Sequence, residues 1–198
     1  MNMKKYILTV AALILTSMIH AQVRFGLKGG LNFAHVSTNS PAIYDFDKVM
    51  PTFQLGILTD ISASDHFSFQ PQAIIQGKGT KIKYDSEDTL YRFISLDIPL
   101  NLLYKSEGFF IGGGPNLGFN LNADYKQNGS VTDIGIGTGD AEFKRFDFGM
   151  HFMAGYESEA GFIIGVNYLR GITNLRNTAN HDWRNHVFSV TVGYVFGD

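Results

Sequence analysis

The sequence predicts an all-β protein, an eight-stranded antiparallel up-and-down transmembrane β-barrel, and three observations lead to this fold class. Segments of about ten residues alternate apolar and polar side chains, as the strands of membrane barrels do. The connections between these segments alternate between long and short. Aromatic residues lie near both tips of the segments. We therefore expect one barrel domain over residues 22–198, preceded by a cleaved signal peptide over residues 1–21.

The composition limits the classes of partner and chemistry. The chain has 198 residues, a net charge of −2 and a charged fraction of 17%, below the roughly one quarter of a typical soluble domain. This balance does not indicate a polyanionic partner, so we expect no nucleic acid. Because the sequence has no cysteine, disulfides, thiol catalysis and an N-terminal lipoprotein anchor are excluded.

The N-terminal stretch has the pattern of an export signal. Lys4 and Lys5 precede an apolar run over residues 6–19, and Ala21 is a small residue at the expected cleavage point. The alternative is a signal anchor that stays attached, but the run is shorter than the about 20 residues that a membrane helix needs. We expect a mature protein that begins at Gln22.

The last strand shows the two faces most clearly. Residues 188, 190, 192, 194 and 196 are all apolar or aromatic, whereas Ser189, Thr191 and Gly193 between them are small or mildly polar. Side chains two residues apart share a face of a strand. The segment 187–196 is therefore predicted to face lipid on one side and the barrel interior on the other.

Seven earlier segments repeat this alternation. They are residues 23–33, 53–61, 67–78, 94–104, 109–121, 146–156 and 162–168. The connections after the first, third, fifth and seventh strands are long, at residues 34–52, 79–92, 122–145 and 170–186. Short turns follow the others, a rhythm typical of barrels with periplasmic turns and larger extracellular loops. We predict that partner contacts lie in the four long loops.

The aromatic residues fall into two girdles if this topology is right. The inner girdle would hold Phe25, Phe67, Tyr104, Phe109, Tyr156, Phe162, Tyr194 and Phe196. The outer girdle would hold Phe33, Phe53, Phe93, Phe119, Phe146, Tyr168 and Phe188. Such girdles mark the two membrane interfaces. We therefore expect the cell outer membrane as the location, with outer-membrane lipid and the barrel-assembly machinery as partners.

Two prolines interrupt predicted strands. Pro71 and Pro99 each remove one ladder donor from a strand that a closed barrel pairs on both sides. We expect them to mark bulges or to lie near a strand end.

The sequences of two predicted strands also resemble a known family. Residues 69–79 (FQPQAIIQGKG) and 95–104 (SLDIPLNLLY) resemble paired motifs of the small outer-membrane β-barrel family of Bacteroidota, the porin-family or PorT-like proteins. Residues 112–118, 146–149 and 171–174 are similar to its later strands. The resemblance implies architecture and location, and the secretion role of PorT does not transfer on motifs this general. The long loops leave an extracellular or secretion-system protein as the candidate partner. Gln72, where that family commonly has an acidic residue, and the non-aromatic end at Asp198 depart from the pattern.

Charged residues on the inward faces form the candidate site. They are Arg24, Lys28, Asp60, Lys78, Asp97, Arg145, Asp147, His151 and Glu157. One hypothesis is a structural plug of opposite charges that satisfy one another; the other is a conduction or proton pathway. About eight strands leave an interior just wide enough for side chains to fill, so we predict the plug. The inward glycines at 112, 114, 118, 149 and 155 would make room for the long cations.

The residues that could form a catalytic, metal or phosphate site each have a simpler interpretation. His66 and Ser68 share a strand face, as in some outer-membrane lipid hydrolases, but no carboxylate is spaced to orient the histidine. His35, His181 and His186 lie near loop ends and could bind a metal, although scattered histidines are more often solvated. Residues 135–139 are rich in glycine without the following Lys-Ser/Thr of a phosphate loop. We predict no catalytic, cofactor or metal site.

Three function classes remain open from the sequence. A structural or interaction barrel that works through its extracellular loops ranks first, a narrow pore second, and a membrane-embedded lipid-modifying enzyme third. A soluble lipid carrier is disfavoured, because its apolar residues would point inward and these point outward.

Overall fold

The computed structural model describes residues 22–38, 48–84, 87–127, 129–139, 142–177 and 182–197. Nine strands lie in this part of the chain: β1 (Val23–Thr38), β2 (Met50–Ser62), β3 (Phe67–Tyr84), β4 (Glu87–Ser106), β5 (Phe109–Gln127), β6 (Ser130–Asp133), β7 (Phe146–Glu157), β8 (Phe162–Gly171) and β9 (Trp183–Phe196). The described residues include no helix of the length and apolar character that a membrane crossing requires. The predicted signal peptide lies outside the described residues.

Eight of these strands form a closed antiparallel barrel, as the sequence predicts. Strands β1 to β5 each pair with the next in sequence, β5 pairs with β7, β7 to β9 continue in order, and β1 closes the ring against β9. The short β6 was not predicted. It pairs with the outer end of β5, beyond the point where β7 begins.

The wall of the barrel is much taller on one side. β3, β4 and β5 have 18, 20 and 19 residues, whereas β7 and β8 have 12 and 10. Because about 9–11 residues suffice to cross the membrane, the longer strands extend beyond its outer surface. The prediction of a loop over residues 79–92 is therefore wrong. Thr80 and Ile82 are buried inside this extension, and the alternation simply continues where water replaces lipid outside.

The connections at the opposite end are tight, as predicted. Only Glu107 and Gly108 separate β4 from β5, and their φ angles of 51° and 81° are both positive, as a two-residue type I′ hairpin requires. We call this the inner end, since short turns face the periplasm in such barrels. The other end is the outer end.

The two faces of the wall also agree with the predicted alternation. Leu55, Ile111 and Val192 are 65%, 62% and 62% exposed on the exterior, whereas Lys78 and Asn101 are fully buried inside. Apolar residues outside and polar residues inside are the arrangement of a lipid-embedded barrel.

The girdles and the prolines each bring one correction. Phe93 does not join the outer girdle: it is 1% exposed, because it shares the inward face of β4 with Ser95.

Pro71 and Pro99 lie in mid-strand, and the register is the same on both sides of each, so the expectation of a bulge or strand end is wrong. A register shift occurs instead between Ile94 and Ser95.

Candidate functional site

The inner end of the lumen holds an alternating square of four charges, which we call the inner tier. Arg24 binds Asp60 at 2.7 Å and also binds Glu157. Lys105 reaches the same two carboxylates, at 2.7 and 3.1 Å. Four strands contribute one residue each, so the square ties β1, β2, β4 and β7 together across the lumen.

Lys105 is the member of this tier that the sequence analysis missed. The apolar pattern predicts a turn that begins at residue 105, but β4 continues to Ser106 and includes Lys105. Lys105 lies an even number of residues from Asp97 and Asn101 and so shares their inward face. Extending the alternation past residue 104 would have found it.

A second group, the central tier, surrounds Asp97 in mid-barrel. Lys78 is fully buried and lies 2.8 Å from Asp97 and 3.5 Å from Asp147. Three further donors reach the Asp97 carboxylate: Ser95 at 2.6 Å, Gln76 at 2.9 Å and Asn116 at 2.6 Å. A buried carboxylate with this many donors has its desolvation offset by hydrogen bonds.

Lys28 completes the central tier with neutral partners. Its ammonium donates to Gln72 at 2.9 Å and to Asn167 at 3.4 Å, and it makes no ion pair with any described residue. His151 bonds the Asn101 side chain at 2.9 Å nearby. Amides that link strands on opposite sides of the lumen therefore hold this part of the tier.

The charges in the described lumen balance, with Lys105 in place of one predicted residue. The cations are Arg24, Lys28, Lys78 and Lys105, and the carboxylates are Asp60, Asp97, Asp147 and Glu157. The prediction that Arg145 faces the lumen is wrong. It precedes the first residue of β7, is exposed, and donates to the Ile136 carbonyl at 3.5 Å.

Little space remains inside the central tier. A cavity of about 10 Å³ lies among side chains that include Gln76, Asp97, Asn116 and His151. This is about the size that one water molecule occupies.

The prediction that the inward glycines make room for long cations is wrong, because a Cβ added at any of the five would have no Arg or Lys side-chain atom among its three nearest atoms. A Cβ on Gly118 would lie 2.9 Å from Asp97 Oδ1, so this glycine does make room for the central tier. At Gly112 and Gly114 a Cβ would instead meet the backbone of β4. These two glycines permit the close approach of neighbouring strands.

An apolar cluster, which we call the outer cap, fills the lumen above the charges. Its buried members are Val36, Ile82, Phe93, Ala123, Phe143, Leu175 and Trp183. Phe143 meets Phe93 edge to face, with ring centroids 4.8 Å apart. The Arg176 guanidinium lies 4.4 Å from the Trp183 ring centroid, a cation–π contact. Phe143, Leu175 and Arg176 come from loops, so the outer loops fold into the mouth of the barrel.

The glycine-rich segment at residues 135–139 holds Phe143 in this position. Its glycines pack against the Glu142 side chain, whose Oε2 accepts a bond from the Gly139 amide at 2.8 Å. The Phe143 amide donates to the Gly135 carbonyl at 3.0 Å. The segment is therefore a structural part of the cap.

A pocket of about 380 Å³, the mouth pocket, opens beside the cap. It is lined by Tyr91, Tyr125, Asp133, Ile134, Gly135, Glu142, Phe143 and Arg176. The extended β4 and β5 provide the two tyrosines, whose rings lie 6.0 Å apart. Aromatic faces beside an arginine and two carboxylates form a surface that can bind polar and aromatic groups together.

The histidines singled out in the sequence lie in different settings. His66 is exposed and stacks on Tyr104 at 5.8 Å, while Ser68 is buried. His35 and His186 stack on the barrel exterior at 4.9 Å; His181 lies outside the described residues. Within the described ranges, no three His, Cys, Asp or Glu side chains are grouped to hold a metal.

Comparison with known proteins agrees with the architecture. The structure is similar to that of Ail, the attachment invasion locus protein of Yersinia pestis, solved with the heparin analogue sucrose octasulfate. The identity is 14%, the TM-score 0.53, and the coverage 88% of this chain and 99% of that one. It is also similar to Neisserial surface protein A, with 15% identity, a TM-score of 0.51, and 87% and 97% of the two chains covered. At these identities the likeness shows the fold alone.

The sequence itself identifies the family. No curated protein matches the chain. The profile of the family described as outer membrane protein beta-barrel domain matches residues 17–177, most of the chain, and a protein of this kind resides in the outer membrane. The chain therefore belongs to the outer membrane protein beta-barrel domain family.

Proposed function

We propose that this protein is a non-conducting outer-membrane barrel that acts as a structural or interaction protein through its outer end. The filled lumen supports this proposal most directly. The inner tier, the central tier and the outer cap occupy successive levels, and the cavity within the central tier holds about 10 Å³. An ion in transit would have to displace the ion pairs of the inner tier and then the buried ion pairs of the central tier.

The outer end supports the choice of interaction over a purely structural role. The extended β3–β5 wall and the mouth pocket beside it present tyrosine, arginine and carboxylate side chains. Val131 on β6 is 54% exposed at the same end. Aromatic and arginine side chains are enriched where proteins bind one another. We propose an extracellular or secretion-system protein as the partner.

Planar-bilayer recording tests the non-conducting part. Purified wild-type protein and a Phe143→Ala variant, both checked for insertion by heat-modifiable gel migration, should give no stable unitary currents. The variant is informative because it loosens the cap and leaves both charged tiers intact. Stable, ion-selective currents from wild type would favour the narrow pore instead.

Site-specific photo-cross-linking tests the interaction part. A photoreactive residue at Val131 should give a discrete adduct on intact cells, whereas one at Glu159, exposed at the inner end, should not give the same adduct. Equal adducts from both positions, or none from Val131, would contradict an outer-end partner.

Two narrower proposals accompany the function. Cleavage after Ala21 is supported by the charge and apolar pattern of residues 1–21, and an intact mass that retains Met1 would contradict it.

A place in the PorT-like branch of Bacteroidota barrels is supported by the motifs at 69–79 and 95–104.

A further inference from the structure

Three parallel rows of side chains cross the barrel exterior on β8, β9 and β1 near the outer end. Strand pairing places Val166, Val190 and Leu31 in the first row, Tyr168, Phe188 and Phe33 in the second, and Arg170, His186 and His35 in the third. We call the second row the aromatic row and the third the basic row. The change from aliphatic to aromatic to basic follows the path from membrane core to headgroups.

The depth of the basic row follows from the strand geometry. Phe188 and His186 are two residues apart, about 7 Å along the strand. Aromatic girdles lie at the level where lipid meets water. A row displaced outward from the girdle by this amount lies at the headgroups of the outer leaflet, given the orientation argued above.

The His186 ring is held in place by two hydroxyl groups. Its Nδ1 lies 2.8 Å from the Tyr168 hydroxyl and its Nε2 lies 3.0 Å from Ser37 Oγ. The His35 ring stacks on it at an interplanar angle of 15°. The neutral ring donates from one nitrogen and accepts at the other, so the hydroxyl group that accepts from the ring keeps its own hydrogen for an acceptor outside the barrel.

Arg170 supplies the fixed charge of the basic row. Arg170 is exposed, directly opposite His186 in the β8–β9 ladder, and it makes no ion pair with a described residue. Arg184, further out on the same face of β9, binds Asp182 at 3.2 Å. Elsewhere on the exterior, Arg92 is neutralised by Asp124 at 2.6 Å. The sector around Arg170 and His186 therefore attracts an anion where the Arg92 sector does not.

We propose that Arg170, His186 and His35, with the hydroxyls of Tyr168 and Ser37, bind a phosphate group on the headgroup of a glycolipid in the outer leaflet. Arg170 supplies the planar fork that matches phosphate oxygens, and the aromatic row packs against the attached acyl chains. Basic residues at the membrane surface bind lipid headgroups in this way. The row spans two strand spacings, about 10 Å, which suits one phosphorylated sugar. This site is on the wall and does not depend on the partner proposed for the outer end.

Native mass spectrometry of the protein from nanodiscs tests the site. The nanodiscs contain phosphatidylcholine with one of two additions, bisphosphorylated lipid A or its fully dephosphorylated form. Wild type should retain the phosphorylated lipid and not the dephosphorylated one. The Arg170→Gln/His186→Gln variant should retain less by on the order of tenfold, the loss expected for charge-assisted phosphate contacts. Arg92→Gln, the matched control, should retain as much as wild type.

Three outcomes would contradict the proposed lipid-phosphate site. Equal retention by wild type and the double variant would overturn the proposal, as would an equal loss in Arg92→Gln. Displacement of the lipid by millimolar inorganic phosphate would show a soluble-anion site instead. Heat-modifiable migration verifies folding, and Arg170→Gln alone, expected to lose part of the retention, replaces the double variant if that one does not fold.

Discussion

The two charged tiers and the outer cap close the same lumen by different means. In the tiers, Asp97 receives four donors and Lys78 lies between two carboxylates. In the cap, Phe93, Phe143 and Trp183 meet through ring contacts. A buried ion pair is lost when either partner is removed, whereas an apolar cluster tolerates substitution by other apolar side chains if the total volume is kept.

The difference reflects where each region lies. The tiers are built from barrel strands that are each paired on both sides. The cap is built against the extended β3–β5 wall, and loops supply Phe143 and Leu175. We infer that the tiers contribute to the global stability of the barrel, and that the cap can open locally without unfolding it.

The largest effect is expected from Asp97→Ala. It leaves Lys78 buried without its nearer carboxylate and should lower the free energy of unfolding by about 3–5 kcal/mol. Urea unfolding in lipid vesicles measures this. Adding Lys78→Met should recover part of the loss, because the uncompensated charge is removed. A single variant as stable as wild type would show that the central tier does not hold the barrel together.

Gly118→Ala should have a smaller effect in the same region. The added methyl group would meet Asp97 Oδ1 at 2.9 Å and the Asp147 carbonyl at 3.1 Å, and such overpacking costs about 1–3 kcal/mol. The matched control is Gly29→Ala, where the nearest atom is 3.5 Å away. The same unfolding assay compares them, and equal stability of the two variants would argue against tight packing around Asp97.

Lys105→Met tests whether the inner tier resembles the central tier. Its side chain is 21% exposed, so water screens its two ion pairs and the expected loss is about 1 kcal/mol. The loss should shrink as salt is raised, because salt weakens solvated pairs. A salt-independent loss as large as that of Asp97→Ala would mean that the inner tier is as dry as the central one.

Phe143→Ala should change global stability least. The cap loses a ring contact with Phe93 and with Trp183, but the strands inside the membrane keep their network. Hydrogen exchange should increase at residues 129–139 and 172–177 while the unfolding midpoint stays near that of wild type. A fall in the midpoint equal to that of Asp97→Ala would make the cap part of the global fold.

The membrane-embedded part of the fold could be predicted from the sequence, for a physical reason. Lipid outside and polar packing inside force strict alternation, so the eight strands and the faces of Lys28, Asp97 and Asp147 follow from it. Above the membrane, water accepts charged side chains on the exterior. The charged residues after Lys78 therefore indicated a loop, although Thr80 and Ile82 keep the inward parity.

The lumen residues could be predicted only where they belong to the regular alternation of a strand. Lys105 was missed because β4 ends later than the apolar pattern indicated, and Arg145 was misplaced because it precedes β7 and follows no alternation. The cap was out of reach for another reason. Phe143 meets Phe93 and Trp183 through a loop, and no period along the chain records which distant ring a loop residue will contact.

The seam between β1 and β9 has a consequence for assembly kinetics. Fourteen residue pairs, from Phe25–Phe196 to Thr38–Trp183, join the first strand to the last, and pairings so distant in sequence form slowly. Lys28 lies on this seam, with Gln72 on β3 and Asn167 on β8 as its acceptors. Until β9 pairs with both β1 and β8, Asn167 cannot be held near Lys28 and the ammonium stays hydrated. Closing the seam and drying the lumen should therefore be one kinetic step, and Lys28 variants should alter its rate.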